Sequence, residues 1–123
     1  MKRPLSYKLS LIAVVLAFTV VLLGAYTRLV DAGLGCPDWP GCYGFISVPD
    51  EQHELDIAIE AYPHAPVEAE KAWPEMIHRY FAGSLGLLVA ALAVIGFINR
   101  SKNEQPLILS YSLLGIIIFQ AAL

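Results

Sequence analysis

Three long stretches of the chain carry no charged side chain. Residues 9–27 and 80–99 are uncharged over nineteen and twenty positions, and residues 105–123 are uncharged as well. Because a helix rises 1.5 Å per residue, each of the first two stretches is long enough to cross a hydrocarbon layer of roughly 30 Å. The pattern predicts an all-α membrane protein with two complete spans and a third, truncated one, at about residues 9–27, 74–99 and 105–123.

The first stretch has one alternative interpretation, a secretory signal peptide, because Lys2, Arg3 and Lys8 precede it. The apolar run is longer than the roughly 7–15 residues of a signal-peptide core, and no A-x-A-like cleavage site follows it. We therefore expect a retained membrane helix.

Basic residues flank the predicted spans at Lys2, Arg3, Lys8, Arg100 and Lys102. The positive-inside tendency places both sets in the cytoplasm. The outer loop, at about 28–73, is then extracytoplasmic. Ten of the eleven acidic residues lie between positions 29 and 75, in agreement with that orientation.

The predicted outer loop contains both cysteines of the chain, Cys36 and Cys42. An oxidising compartment permits a disulfide between them. Proline and glycine residues surround the pair and favour a compact, turn-rich structure over a helix. We predict a disulfide-bearing knob at this point.

Two further helix signals lie between the cysteines and the second span. Ser47 with Asp50 resembles a capping box, and Leu55, Ile59 and Tyr62 follow at helical spacing, which predicts a short amphipathic helix at about 49–61. A Pro-rich segment ends it. Downstream, proline 74 either starts the second span or kinks a longer helix that begins near position 67.

The amino-acid composition argues against two classes of protein, soluble domains and nucleic-acid-binding proteins. Hydrophobic residues make up 57% of the chain and charged residues only 15%, so an ordinary soluble domain is excluded. The net charge of −3 and the scattered basic residues provide no basic face for phosphates, and we expect no nucleic-acid partner.

Candidate chemistry concentrates at Glu75, His78 and Arg79, at the outer end of the second span. Residues three and four apart on a helix are neighbours, so these side chains share nearly one face. Small residues continue that face at Ala82, Gly86, Val89, Ala93 and Gly96. Such a stripe admits either another helix or a flat ring. His78 is therefore either an interfacial packing residue or an axial ligand of heme iron.

The other two histidines, His53 and His64, lie among acidic residues of the loop and are interpreted as solvated surface side chains. No zinc-type Cys/His spacing is present. A single histidine in the spans cannot supply a paired-histidine iron site, so the opposing ligand must come from elsewhere.

Two motifs carry a family resemblance. Residues 33–44 read GLGCPDWPGCYG and residues 71–80 read KAWPEMIHRY, followed by small residues in the second span. In this order and topology they resemble the N-terminal part of bacterial heme A synthase, over nearly the whole chain. The sequence ends within its third span, so this piece alone is expected to be inactive.

The resemblance implies a fold and a reaction. Heme A synthases are eight-span enzymes of the bacterial plasma (inner) membrane, built from two similar four-helix halves. They oxidise the C8 methyl group of heme O to the formyl group of heme A, for terminal oxidases. The resemblance further implies a heme b cofactor in the absent second half, and heme O synthase and oxidase assembly factors as partners beside membrane lipid.

The resemblance also assigns residues. His78 matches the second-span histidine that ligates the substrate heme iron, and Glu75 matches the acidic residue implicated in the reaction. Cys36 and Cys42 match the outer-loop cysteine pair.

The charged side chains near the predicted heme site each have more than one possible role. Arg28 and Arg79 offer guanidinium forks for heme propionates, or they extend to lipid headgroups. Glu75 acts as a proton acceptor, stabilises a cationic intermediate, or is a plain interfacial carboxylate.

The cysteine pair is either structural or a thiol–disulfide relay. A relay would indicate a second function class, a membrane thiol oxidoreductase that passes electrons to quinone. The chain lacks the C-x-x-C motif of such enzymes, and this function gives Glu75 and His78 no role. A noncatalytic heme-binding assembly subunit is the third function class.

Overall fold

The computed structural model describes residues 4–99 and 107–122. These residues form four α-helices, α1 (Leu5–Leu29), α2 (Gln52–Ala61), α3 (Ala69–Ile98) and α4 (Leu107–Ala122), and the described residues contain no β-strand. The all-α fold is confirmed.

Helices α1 and α3 are long and apolar enough to cross a membrane, with 25 and 30 residues. Helix α4 is a shorter apolar helix of 16 residues. Four basic residues used for the predicted orientation lie outside the described residues: Lys2, Arg3, Arg100 and Lys102. Lys8 is exposed within α1.

Helix α3 begins at Ala69 and continues through Pro74. Proline lacks an N–H group, so one helical hydrogen bond is lost in the second turn. Of the two interpretations of this proline, the structure has the one in which a longer helix includes it.

Helix α2 begins later than the sequence suggests, and the predicted capping box is wrong. The N-cap is Glu51, which makes no side-chain capping hydrogen bond. Instead, the backbone N–H of Asp50 donates to Oε2 of Glu54, at 3.3 Å. The buried face also differs, because Ala58 is fully buried while Ile59 is 59% exposed. An alanine lets the backbone of so short a helix approach its neighbours closely.

The chain divides into two compact units. Residues 19–81 form the first unit, which has a small hydrophobic core built from the segment between α1 and α3 and from the first turns of α3. Its fully or nearly buried members are Cys36, Cys42, Tyr43, Val48, Ala58, Ala72 and Met76. Tyr62 packs edge-on against Tyr43, with ring centroids 5.7 Å apart.

The second unit comprises residues 1–18 and 82–123. In its described part, a Cβ on Gly86 of α3 would lie 3.7 Å from Cγ2 of Ile117 in α4. The small-residue stripe therefore admits another helix at this position. An apolar groove of about 380 Å³ lies further along the same pair of helices, lined by Ala90, Ala93, Val94, Phe97, Tyr111 and Leu114.

Candidate functional site

The cysteine-containing loop packs directly on the backbone of α3. A Cβ on Gly35 would lie 2.5 Å from the carbonyl carbon of Lys71 and 2.7 Å from the nitrogen of Ala72, so only glycine fits there. Ala72 and Met76, one turn apart on α3, are buried beneath the loop. The loop is thereby fixed to the first turns of α3.

Cys36 and Cys42 form the predicted disulfide, with Cα atoms 4.8 Å apart. Cys36 is 6% exposed and Cys42 is 0% exposed. The backbone of Cys42 pairs with that of Phe45 through two hydrogen bonds of 2.8 and 3.1 Å. The two sulfur atoms therefore lie inside the small core rather than on its surface.

Asp38, between the two cysteines, organises the turn that follows the second one. Its Oδ1 accepts a hydrogen bond of 2.5 Å from the N–H of Tyr43, and its Oδ2 accepts one of 2.8 Å from the N–H of Gly44. Both donors have left-handed backbone conformations, with φ of 55° and 84°. Backbone N–H groups turned toward one carboxylate stabilise a conformation that a side chain otherwise disfavours.

Arg79 of α3 connects the helix to this loop. Its Nη1 donates to the backbone carbonyl of Asp38 at 2.6 Å and to that of Gly41 at 2.5 Å. Its Nη2 forms an ion pair with Oε1 of Glu75, one turn earlier on α3. Nη1 and Nη2 of the guanidinium are thus engaged within the protein.

Glu75 is the most buried charged residue in the described ranges, at 9% exposure. Its Oε2 accepts a hydrogen bond of 3.1 Å from the backbone N–H of Cys36, and its Oε1 pairs with Arg79. A carboxylate that receives a backbone N–H and a guanidinium is held in one orientation. The arrangement can present a fixed negative charge beside a ligand.

His78 lies on the neighbouring face of α3 and turns toward α1. A Cβ on Gly24 would lie 3.0 Å from Cε1 of the imidazole. Its Nδ1 is buried and has no hydrogen-bond partner among the residues that the structure describes. Buried polar atoms normally have a hydrogen-bond partner, and a glycine leaves room beside this ring. Both features favour a ligand-binding role for the imidazole over a role in packing alone.

Of the six predicted site residues, the structure joins four in one cluster and leaves two outside it, His78 beside Gly24 and Arg28. Cys36, Cys42, Glu75 and Arg79 form one connected cluster of hydrogen bonds, an ion pair and a disulfide. Arg28 is exposed in the last turn of α1, where no described contact engages its side chain.

His53 and His64 are exposed, as their interpretation as surface side chains expects. Within residues 4–99 and 107–122, no group of three or more His, Cys, Asp and Glu side chains is arranged to hold a metal ion.

Sequence reasoning missed Asp38 and Gly24. Asp38 bonds backbone groups five and six residues later, which is longer than the two-residue spacing of an Asx turn, so its role carries no local sequence signal. Gly24 carries no signal, because a lone glycine in an apolar helix is common.

Tyr43 has the clearest electrostatic perturbation outside the helices. Burial raises the pKa of its phenol above the ordinary value of 10.0, and the negative charge of Glu68 raises it further. The hydroxyl donates a 2.8 Å hydrogen bond to the carbonyl of Pro66. The phenol therefore stays neutral and ties the loop to the segment before α3.

Comparison with known proteins yields one family and several relatives. A family model described as cytochrome oxidase assembly protein matches residues 7–123. Heme A synthase from Shewanella oneidensis is 53% identical over 115 residues, 92% of this chain and 34% of that protein. Heme A synthase from Allorhizobium ampelinum is 31% identical over 128 aligned positions, 94% of this chain and 34% of that protein.

One further relative has a different name. Protoheme IX farnesyltransferase from Haloarcula marismortui is 34% identical over 87 residues, 71% of this chain but only 15% of that protein. The chain spans about a third of the length of the two heme A synthases. No solved structure matches the chain significantly.

Proposed function

The chain belongs to the cytochrome oxidase assembly protein family, and from this membership we propose that it forms the substrate-heme side of a heme A synthase. In this proposal the enzyme is a membrane oxidoreductase that converts the C8 methyl group of heme O to a formyl group, giving heme A for terminal oxidases. The 53% identity to a protein named heme A synthase supports the assignment.

The observation that carries the proposal is that His78 and Glu75 lie three residues apart on α3, each in a distinctive environment. The imidazole is cradled by Gly24 and has an unsatisfied buried Nδ1, and the carboxylate three residues away is buried and fixed by two donors. A neutral imidazole is the usual protein ligand of heme iron. We therefore assign His78 as the axial ligand of the substrate heme iron, the opposing ligand coming from outside this chain.

Glu75 is assigned to the reaction itself. Oxidation of a methyl group to an aldehyde removes electrons and protons in steps, so a nearby base or a fixed negative charge assists it. The guanidinium of Arg79 and the N–H of Cys36 hold the carboxylate in one orientation. Glu75 in this position accepts a proton or stabilises positive charge developing on the substrate.

The two arginines receive different roles. Nη1 and Nη2 of Arg79 are bound to Glu75 and to two loop carbonyls, so we assign it to positioning Glu75 rather than to propionate binding. Arg28 is exposed at the outer end of α1. Its fork is available for a heme propionate, with lipid headgroups as the competing ligand.

The remaining parts of the proposal concern location and partners. We place the protein in the bacterial inner membrane with its N-terminus cytoplasmic and the disulfide loop extracytoplasmic, which agrees with the oxidised cysteine pair. A heme b cofactor is assigned to a region outside this chain. Heme O synthase supplies the substrate, and the similarity to a segment of a protoheme IX farnesyltransferase supports that link. Terminal oxidase assembly factors are the expected recipients of heme A.

The proposal is tested with His78→Ala and Glu75→Gln in the protein made from its complete gene. His78→Ala removes the ligand and should change the optical and EPR signature of the substrate heme and stop heme A formation. Glu75→Gln keeps size and hydrogen bonding but removes the charge, so heme O or a partly oxidised heme should accumulate on a protein that still binds heme. His53→Ala, at an exposed histidine of α2, is the matched control.

The outcomes separate the three function classes. Normal heme A yield from either variant would contradict that residue's role. Heme binding without any oxidation of heme O by the unaltered protein would identify a noncatalytic heme-binding subunit. Quinone reduction without heme binding would identify a thiol oxidoreductase, which the burial of both sulfur atoms disfavours.

A further inference from the structure

We infer that Gly24 of α1 is the positioning residue that sets the orientation of the His78 imidazole, by steric contact instead of a hydrogen bond. The inference rests on the proposed role of His78 as a heme ligand and adds a residue that the sequence motifs do not contain. Its basis is the geometry around the imidazole ring and the hydrogen bonds of the neighbouring helix turn.

The ring presents its nitrogen-bearing edge to Gly24. A Cβ built on Gly24 would lie 3.0 Å from Cε1, 3.5 Å from Nδ1 and 3.6 Å from Nε2 of His78. The three nearest atoms are therefore Cε1 and the two ring nitrogens, and one of these nitrogens is the atom with which an imidazole binds a metal. A methyl group at position 24 would press on Cε1 and turn or shift both nitrogens.

No described hydrogen bond orients the ring. Metal-binding histidines usually donate the other ring N–H to a carbonyl or carboxylate, which fixes their orientation. Here Nδ1 is buried and has no partner within residues 4–99 and 107–122. The space left by the missing side chain of Gly24, and not a hydrogen bond, then limits where the ring can lie.

Thr27 explains why the backbone of α1 does not supply that bond. Its hydroxyl donates to the carbonyl of Gly24 at 2.8 Å. The same carbonyl accepts the helical N–H of Arg28, because both residues lie within α1. A carbonyl oxygen has two lone pairs, so this acceptor is saturated and Nδ1 cannot use it.

The expected size of the effect follows from the distances. A contact of 3.0 Å is tighter than ordinary Cβ contacts, so Gly24→Ala requires the ring to shift by a few tenths of an ångström. Misplacing a catalytic group by about 1 Å costs roughly a hundredfold in rate. We expect Gly24→Ala to shift the heme absorption bands and to lower heme A formation by about tenfold, with heme still bound. Gly24→Leu should abolish ligation by His78.

Gly83 of α3 is the matched control, because a Cβ there meets nothing within 4 Å. Replacing glycine by alanine inside a helix raises its intrinsic stability at either position. Gly83→Ala and Gly83→Leu should leave the heme spectrum unchanged. The thermal unfolding midpoint of each variant is measured beside its absorption and EPR spectra, on the protein from its complete gene as purified with heme.

Three results are distinguishable. A changed heme spectrum in Gly24→Ala, with an unfolding midpoint no lower than that of the unaltered protein, supports the inference. If His78→Ala alters the spectrum but Gly24→Ala and Gly24→Leu do not, Gly24 is only a packing residue and the inference fails while the proposed function stands. If His78→Ala also leaves the spectrum unchanged, the proposed ligand itself is wrong.

Discussion

Removing Arg79 should release the disulfide loop from α3. In Arg79→Met an unbranched apolar side chain remains, but all three of the polar contacts described above are lost, with Glu75 and with the carbonyls of Asp38 and Gly41. The loop then keeps its apolar contacts only, and Glu75 remains buried without its counter-ion. Both effects favour an opened loop.

The magnitude follows from the burial of the ion pair. The side chains of Arg79 and Glu75 are 18% and 11% exposed, so solvent screens them little. Removing one partner of a buried pair costs about 3–5 kcal/mol, because the other charge stays uncompensated. Since each 1.4 kcal/mol is a factor of ten, the opened loop should become more populated by about a hundredfold to several thousandfold.

Reduction of the disulfide reports the opened loop. Both cysteines are buried, so a reductant reaches the sulfur atoms only when the loop opens. Trypsin cleaves after Arg28 and Lys71 and leaves both cysteines in a single peptide, residues 29–71. Alkylation after timed exposure to a phosphine, followed by mass spectrometry of that peptide, yields the reduction rate.

A control variant and a double variant sharpen the test. Glu68→Gln removes the exposed ion pair between Glu68, which directly precedes α3, and Lys71 of α3, where the side chains are 52% and 41% exposed, and should change the rate less than threefold. Glu75→Gln combined with Arg79→Met removes the stranded charge and should recover part of the loss. A reduction rate in Arg79→Met within threefold of the unaltered protein would refute the role of Arg79 in holding the loop.

Two further predictions concern the same loop. Because burial raises the pKa of Tyr43 in the folded state, the unfolded state loses the phenolic proton first, so the free energy of unfolding should fall as the pH rises above about 10. Tyr43→Phe should lower stability at neutral pH through the lost bond to Pro66 and should weaken that alkaline decline; equal declines in unfolding measurements between pH 8 and 11 would contradict it. In intact cells a membrane-impermeant thiol reagent should label a cysteine introduced at His53, which is exposed in α2, and should not label one introduced at Asn99 beyond the inner end of α3. The reverse pattern would overturn the proposed orientation.

The positions of the two long helices were predictable because charge is expensive in a bilayer. Three of the four charged residues that bound these two uncharged stretches, Lys8, Arg28 and Arg79, lie inside helices that extend beyond the apolar run. The start of α3 was not predictable to the residue. Pro74 is compatible with a helix start and with an early helix turn, and only packing of the loop on Ala72 and Met76 favours the second.

The candidate site was predictable as far as it is helical. The spacing of Glu75, His78 and Arg79 places them on neighbouring faces in any helix. The contacts of Arg79 with the loop join residues 41 and 38 positions apart, and no local rule specifies which carbonyls an irregular loop presents. The short helix α2 was placed correctly but its cap was not, because Ser47 and Asp50 have the composition of a capping box without lying at the helix start.

The docking of the loop on α3 has a consequence for how the protein is made. The loop precedes in the chain the helix that holds it, so it is synthesised first. Tyr80, whose hydroxyl donates a hydrogen bond to the carbonyl of Ile46, follows 34 residues later. At about 5–20 residues per second, roughly 2–7 s separate these two points. In the proposed orientation, residues 33–46 cross the membrane unshielded during this interval. Oxidising enzymes outside the membrane can therefore reach the two thiols before Ala72, Met76 and Arg79 are in place. The rate of translation determines how long the thiols stay accessible.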